Sequence, residues 1–193
     1  MTEKFLNMKL FYEYTLVSKT GEVIKHEADE AHSFVQGFLL MLYRWWVENM
    51  TAGPIAIVTS GAEDTDIPSW SNHFDILGPI NNANYGPVVG TSSTAVAIDD
   101  YALGAKIGHG TGSGALQYSV TTYTAPTYDA TSTRFVITRD YTNASGSPIT
   151  VTEIGLISSS GGYILIARDI LSVPVTVNNS EKLVLNYTIQ TEL

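Results

Sequence analysis

The chain has 193 residues, no cysteine and a formal net charge of −9. A chain of this length buries roughly two thirds of its unfolded surface, so we expect one hydrophobic core with an appended element rather than two independent cores. The lack of cysteine excludes disulfides and thiolate chemistry, and the acidic balance argues against a general nucleic-acid binder, which needs a basic surface.

The first predicted element is a β-hairpin between Lys9 and Glu27, in the segment KLFYEYTLVSKTGEVIKHE. Its turn is predicted at Ser18-Lys19-Thr20-Gly21, where glycine supplies the positive φ that such a turn often needs. The preceding residues contain no basic region followed by an apolar stretch and a cleavage site. We therefore expect a strand there rather than a secretory signal, and synthesis in a cytoplasm.

A helix is predicted to begin at about Phe34 and to end at Glu48 or Asn49, in the segment FVQGFLLMLYRWWVEN. Ser33 and Gln36 have the spacing of a capping box. Apolar residues cover most of the helix circumference, so the helix must be buried on most sides. It is too short to span a bilayer, which takes about 20 apolar residues. We expect it to pack on the sheet or on a neighbouring subunit, with an interfacial membrane helix as the alternative.

The middle of the chain is predicted to be mostly loops. A short strand, IAIVTS, follows the helix. Residues 61–90 contain Pro, Gly, Asn and Asp so regularly that long ordered loops with one short extended piece are expected. Residues 88–98 are predicted to form a strand and residues 99–103 a helical turn. A glycine-rich segment then leads into a further alternating strand, LQYSVTTYT.

The most regular pattern lies in residues 131–193. Its β-branched and aromatic runs are TSTRFVITRDYT, PITVTEIGLI, YILIARDIL, PVTV and EKLVLNYTIQ, and turn formers separate most of them. The predicted fold class is mainly β, an antiparallel β-sandwich of jelly-roll-like form with an N-terminal hairpin and one apolar α-helix. We divide it into residues 1–60 (hairpin and helix), 61–87 (loop-rich connector) and 88–193 (sandwich), packed as one unit.

No catalytic motif is found in the sequence. Residues 110–115 fit G-x-G-x-x-A, but a strand follows them where a dinucleotide site needs a helix, so a hairpin loop is expected. No G-x-S-x-G occurs, and the four histidines show no metal-ligand spacing. Glu153 lies inside an apolar strand, and we expect it to form an architectural ion pair with Arg134, Arg139 or Arg168. The sequence thus predicts a protein that is not an enzyme, with no catalytic residues, no cofactor and no metal ligands.

Two weaker alternatives stay open at this point. Acidic residues near Glu63 and Asp75 form a set of oxygen ligands that matches no EF-hand spacing, so solvated carboxylates are expected there, and metal binding is not decided. Aromatic residues that include Trp70 and Tyr85 are suited to stacking on sugars, although core or interface packing explains them equally well.

Several segments resemble structural proteins of tailed bacteriophages. They are VVGTSSTAVAIDDYAL, RDYTNASGSPITVTEIGL and LIARDIL with the VTV…LVLNYTI ending, and the hairpin leading into HSFVQGFL is similar to the front of such proteins. Residues 61–87 match least. The resemblance implies a virion structural protein, made in the host cytoplasm and located in the virion.

The expected role is a capsid decoration or cement protein that acts by burial of subunit surface. The resemblance implies as partners other copies of the chain and major capsid or tail proteins, with no nucleic acid and no membrane span. Alternatives are a neck or tail (baseplate or fibre) component, an adhesin module that binds a host glycan, and a glycan-degrading enzyme, which would need two suitably spaced carboxylates. The candidate subunit contacts are Phe34, Phe38, Leu42, Trp45, Trp46, Trp70 and Tyr85.

Overall fold

A computed structural model describes residues 7–31, 34–47, 56–58, 64–66, 74–159 and 162–192. It contains two large antiparallel sheets, a two-stranded ladder and one short helix, which confirms the predicted β-sandwich class. In chain order the elements are β1 (Asn7–Val17), β2 (Val23–Ala31), α1 (Gln36–Val47), β3 (Ala56–Val58), β4 (Asp64–Asp66), β5 (Gly86–Gly90), β6 (Gln117–Tyr118), β7 (Thr122–Tyr123), β8 (Thr127–Tyr128), β9 (Ser132–Thr142), β10 (Ile149–Ser158), β11 (Ile164–Val177) and β12 (Lys182–Glu192).

The first and last strands are neighbours in the larger sheet. Its order is β2-β1-β12-β9, and the short strands β6, β7 and β8 pair along the other edge of β9. β1 pairs with β12 over its whole length, from Asn7 opposite Glu192 to Val17 opposite Lys182. The second sheet has the order β11-β10-β5, and β3 pairs with β4 in a separate two-stranded ladder. The N-terminal hairpin therefore shares a sheet with the C-terminal strands.

Alternating side chains build the core between the two sheets. On β1, Leu10, Tyr12, Tyr14 and Leu16 are buried while the residues between them are only half-buried. Each of the buried residues lies opposite an apolar residue of β12. The second sheet supplies the facing wall, and all these residues belong to one apolar cluster. Each fully buried side chain of this size contributes about 1.5–3 kcal/mol, so register is strongly specified here.

The runs YILIARDIL and PVTV form one strand, β11, with a large bulge. Val151 pairs with Val175, and Glu153 pairs with Ile170, so residues 171–174 lie opposite a single residue of β10. Pro174 falls inside this bulge, where its missing N–H removes no ladder hydrogen bond. The hairpin of β1 and β2 is confirmed, with a turn in which Gly21 has φ +90°.

The predicted start of the helix was wrong by two residues. Phe34 forms an extended bridge with Ala167 on β11, and the Val35 N–H donates to the Ile166 carbonyl at 3.0 Å. The Gln36 N–H, which a cap on Ser33 would have needed, donates to the Ile98 carbonyl at 2.8 Å. Backbone carbonyls of distant segments thus accept the hydrogen bonds that a side-chain cap would otherwise have accepted. Ser33 itself lies outside the described residues.

The predicted strand over residues 88–98 was also misplaced. The strand is β5, and residues 91–98 are irregular. Hydrogen bonds outside the sheet hold them: the Thr91 N–H donates to the Ala105 carbonyl at 2.9 Å, and the Thr94 N–H donates locally to Ser92 Oγ at 3.1 Å. Such side-chain acceptors compete with a ladder. Residues 99–103 do not form the predicted helical turn: a turn lies at their start, where the Asp100 N–H donates to the Ala97 carbonyl at 3.1 Å. LQYSVTTYT is split into β6 and β7.

Candidate functional site

An apolar cavity of about 420 Å³ lies between the two sheets and beneath helix α1. Its walls come from Phe135 and Ile137 of β9, Ile189 of β12, Leu156 of β10, Ile166 of β11, and Phe38 and Leu42 of α1. Exposed side chains of Met8, Leu77 and Tyr123 line the same cavity, so they mark its mouth. The cavity is open to solvent on this side, so it is a pocket that reaches the surface.

Helix α1 is held over this cavity by an unusually close contact. A Cβ on Gly37 would lie 2.2 Å from the Leu165 carbonyl oxygen, so only glycine lets the helix backbone lie this near β11. Phe38 then sits between two rings: its centroid is 4.1 Å from that of Phe34 and 5.8 Å from that of Phe74. Phe38 of the helix and Phe74 therefore both contribute to the roof of the cavity.

A buried arginine ties the loops around the cavity to the larger sheet. Arg139 lies on β9 between the inward-facing residues Ile137 and Tyr141, and it is fully buried. Its Nε donates to the carbonyl of Ser119 (3.0 Å), Nη1 to those of Tyr85 (2.7 Å) and Pro87 (3.2 Å), and Nη2 to those of Pro79 (2.9 Å) and Asn82 (2.5 Å). Five donors thus meet five carbonyls, which is the full capacity of a guanidinium.

The dipoles of backbone carbonyl groups, rather than a carboxylate, balance the positive charge of Arg139. Within the described part of the chain its guanidinium forms no ion pair. Burial lowers its pKa from the usual value, yet an arginine stays protonated in proteins. Its Cζ lies 4.9 Å from the Tyr118 ring centroid, a favourable cation–π geometry. Burial also raises the pKa of Tyr118.

A second buried charge network fixes residues 91–105 on the smaller sheet. Glu153 pairs with Arg168, as one of its three predicted partners, with Oε1 2.6 Å from Nε. The Glu153 carboxylate also accepts the N–H groups of Gly104 (2.7 Å) and Ala105 (3.2 Å). Arg168 Nη1 lies 2.7 Å from Asp100 Oδ2. Burial lowers the pKa of Arg168, but its bonds to the two carboxylates outweigh that effect and raise it.

The structure places the predicted contact residues as follows. Phe34 and Phe38 are partly buried against the core, and Leu42 lines the cavity beside Phe38. The backbones of Trp45 and Trp46 lie in α1, but their side chains are outside the described set, as is all of Trp70. Whether any of them contacts a second subunit stays a prediction.

Tyr85 lies apart from the helix residues. It is partly buried, and its ring stacks on that of Tyr163 with centroids 6.2 Å apart. Burial raises its pKa, and the nearby charge of Asp75 adds to that effect. Because Arg139 binds the Tyr85 carbonyl, Tyr85 lies on the loop that the arginine holds, while Tyr163 directly precedes β11.

Among the acidic residues considered as metal ligands, Asp75 is the one whose side chain the structure describes. Asp75 Oδ2 accepts a hydrogen bond from Ser159 Oγ at 2.6 Å, and its Oδ1 accepts the Leu77 N–H. Glu63 and His73 lie outside the described residues. Within the described ranges, no group of three or more potential ligands is placed to hold a metal ion.

Sequence reasoning named Arg139 only as a possible partner of Glu153, and it missed both the role of Arg139 in binding backbone carbonyls and the cavity. The signal for Arg139 was present, because alternation along β9 puts residue 139 on the same face as Phe135 and Ile137. The described stretches include no helix with the length and apolar character needed to cross a bilayer. Comparison of the chain with protein-family models, with curated proteins and with solved structures gave no match.

Proposed function

We propose that the protein is a structural component of a tailed-bacteriophage virion, a capsid decoration or cement protein that works without catalysis by burying subunit surface. The resemblance of the segments around β5, β9, β10 and β11 to phage structural proteins motivates the proposal. A β-sandwich with its loops fixed by buried arginines is a rigid body suited to such a role, because little order has to be gained when a partner covers it.

The observation that carries the proposal is a group of exposed apolar side chains beside the start of helix α1. Leu39, Ile98 and Tyr101 are 63%, 70% and 44% exposed. The hydrogen bond from Gln36 to the Ile98 carbonyl holds residue 98 against the first helical turn, and Leu39 lies one turn further along the same side as Gln36. We call these three residues the outer patch. Grouped apolar residues on a surface mark contacts with other proteins.

The buried network of Glu153, Arg168 and Asp100 holds the segment that carries Ile98 and Tyr101 of the outer patch. Asp100 Oδ2 accepts the Ala97 N–H at 2.8 Å and also binds Arg168. The carbonyls of Thr94 and Ala95 accept from the same guanidinium. The segment that carries Ile98 and Tyr101 is therefore held in place before any partner arrives, which lowers the entropy cost of binding.

A glycan-binding adhesin is the second candidate, and the Tyr85–Tyr163 pair favours it. Tyr163 remains 39% exposed, and aromatic rings of this kind stack on the apolar faces of sugars. Binding to a glycan array that is lost in Tyr85→Ala would support this role over assembly.

The test of the assembly proposal is light scattering combined with co-sedimentation on particles and empty capsids of the phage that encodes the protein. We expect attachment at high copy number, and loss of attachment in the double variant Leu39→Asp/Ile98→Asp. Val23→Asp is the matched control, since Val23 is equally exposed but lies on the edge strand β2. Attachment at low copy number would indicate that the protein is a neck or tail component instead. A monomer that ignores particles would overturn the proposal.

A further inference from the structure

We propose that the cavity beneath helix α1 is a binding site for the hydrocarbon part of an amphiphile, such as an alkyl chain, whose polar end stays at the mouth. This inference does not depend on the assembly proposal. It rests on the size of the cavity, on the chemistry of its lining and on the rigidity of its floor.

The size of the cavity fits a ligand rather than a packing defect. Ligand pockets typically have volumes of about 300–1,000 Å³, and the cavity lies within that range at about 420 Å³. An apolar cavity of roughly 150 Å³ is enough to hold benzene. The space beneath α1 therefore takes a group two to three times larger, and an extended alkyl chain meets that requirement.

The lining determines the chemical class of the ligand. The lining residues that the structure describes are aliphatic or aromatic, and the hydroxyl of Tyr123, at the mouth, is the one polar side-chain group among these described residues. A buried polar atom on the ligand would find no hydrogen-bond partner among these residues, so its burial would be unfavourable. The buried part must accordingly be hydrocarbon, while a polar head finds the Tyr123 hydroxyl and solvent at the rim.

The floor of the cavity is firmly held. Ile137 lies at the middle of β9, Leu156 of β10 is paired with Ala167 of β11, and both residues are almost completely buried, as is Ile166 of β11. The roof is fixed by the contact of Gly37 with β11. Walls that are set by paired strands and a tightly packed helix do not collapse into the space, so the volume is kept for an occupant.

The test is titration of the full chain with dodecanoate, followed by calorimetry, and incubation with phosphatidylcholine vesicles that carry a fluorescent acyl chain. We expect saturable binding of dodecanoate. Leu156→Phe and Ile189→Phe, which fill the cavity from its floor and its rim, should weaken binding about tenfold or more, because each excluded CH₂ is worth roughly 0.8 kcal/mol. Val184→Phe is the control, since it adds the same ring on the opposite face of β12.

The outcomes separate the possible occupants. Binding of dodecanoate with this variant pattern, and no uptake from vesicles, supports the site with a free amphiphile as ligand. Uptake of the labelled acyl chain with the same variant pattern supports the site with a membrane lipid as source. No binding of either probe, or binding that both filling variants leave unchanged, overturns the proposal and assigns the space to another part of this chain or to a second copy. Thermal unfolding of each variant shows that a lost signal is not lost folding.

Discussion

Arg139 shows how one residue organises a region of irregular chain. The five carbonyls it binds lie in residues 79–87 and at Ser119, two segments with few strand partners of their own. Gly78 lies so close to the guanidinium that a Cβ there would be 2.7 Å from Nη1. Buried backbone acceptors are costly when unpaired, so the arginine stabilises these segments by supplying donors that no ladder provides.

Arg139→Lys is expected to destabilise the protein strongly although it keeps the charge. A lysine ammonium has three donors and no fork, so at least two of the five carbonyls lose their partners. At roughly 1–3 kcal/mol for each, the free energy of unfolding should fall by about 2–6 kcal/mol. Urea denaturation measures the change. Arg134→Lys, on the same strand but exposed, should stay within about 0.5 kcal/mol. Equal stability of the two variants would contradict the role given to Arg139.

Asp129 gives a residue-scale prediction about pH. Its carboxylate accepts hydrogen bonds from the Thr131 N–H (2.9 Å), the Ser132 N–H (2.9 Å) and the Ser132 hydroxyl (2.8 Å), and these lower its pKa to about 2. Because the folded pKa lies below the unfolded one, the stabilisation is complete above about pH 4 and is lost as the pH falls through about 2. Carboxyl NMR titration should show a higher midpoint in Ser132→Ala, and no change in the distant variant Ser147→Ala.

At the scale of elements, helix α1 is defined by what it packs against more than by its own sequence. Its pattern predicted a helix with apolar residues on most sides, and the structure buries Val35 and Met41 while leaving Leu39 exposed. Its N-terminal backbone donors bond to β11 and to residue 98 rather than to a local cap. The helix therefore depends on the smaller sheet for its position, as expected for a segment of only 12 residues.

Gly37→Ala tests that dependence. The new methyl group would meet the Leu165 carbonyl at 2.2 Å and the Ile164 side chain at 2.9 Å, so the helix must move away from β11. We expect a loss of about 1–3 kcal/mol, as for other overpacked sites, despite the better helix propensity of alanine. Gly108→Ala is the matched control, because a Cβ there meets nothing within 4 Å. A Gly37→Ala protein as stable as the wild type would show that the helix is not tightly seated.

At the scale of the whole molecule, the features that followed from the sequence are those set by neighbours along the chain. The hairpin of β1 and β2 and the strands β9, β10 and β12 were predictable from alternation and turn residues. The Glu153 partner was narrowed to three arginines, because a buried acid needs a cation. Three features were not predictable: the irregular course of residues 91–98, the carbonyls around Arg139 and the cavity. The first two depend on how distant segments of the chain meet, and the cavity depends on volume that no side chain fills. The periodicity of the sequence carries no information on either.

The pairing of β1 with β12 leads to a prediction about the fragment 88–193, the segment that the sequence analysis treated as the sandwich. In that fragment β12 would lose its strand partner at eleven positions. The buried side chains of Leu185 and Tyr187 would lose those of Tyr14 and Tyr12, which lie opposite them. The fragment would also lack the hydrogen bond that the Tyr14 hydroxyl donates to the Val173 carbonyl of β11 at 2.7 Å.

We therefore expect fragment 88–193 to be unfolded or aggregated, and the full chain to unfold in one transition. At about 1.5–3 kcal/mol for each buried side chain, the four inward residues of β1 alone are worth roughly 6–12 kcal/mol, comparable with the total stability of a domain. Circular dichroism in the far and near ultraviolet should give coincident urea transitions for the full chain. Adding a peptide that spans residues 7–31 should restore structure to the fragment. A fragment that folds alone with a sharp transition would show that the sandwich core does not require β1.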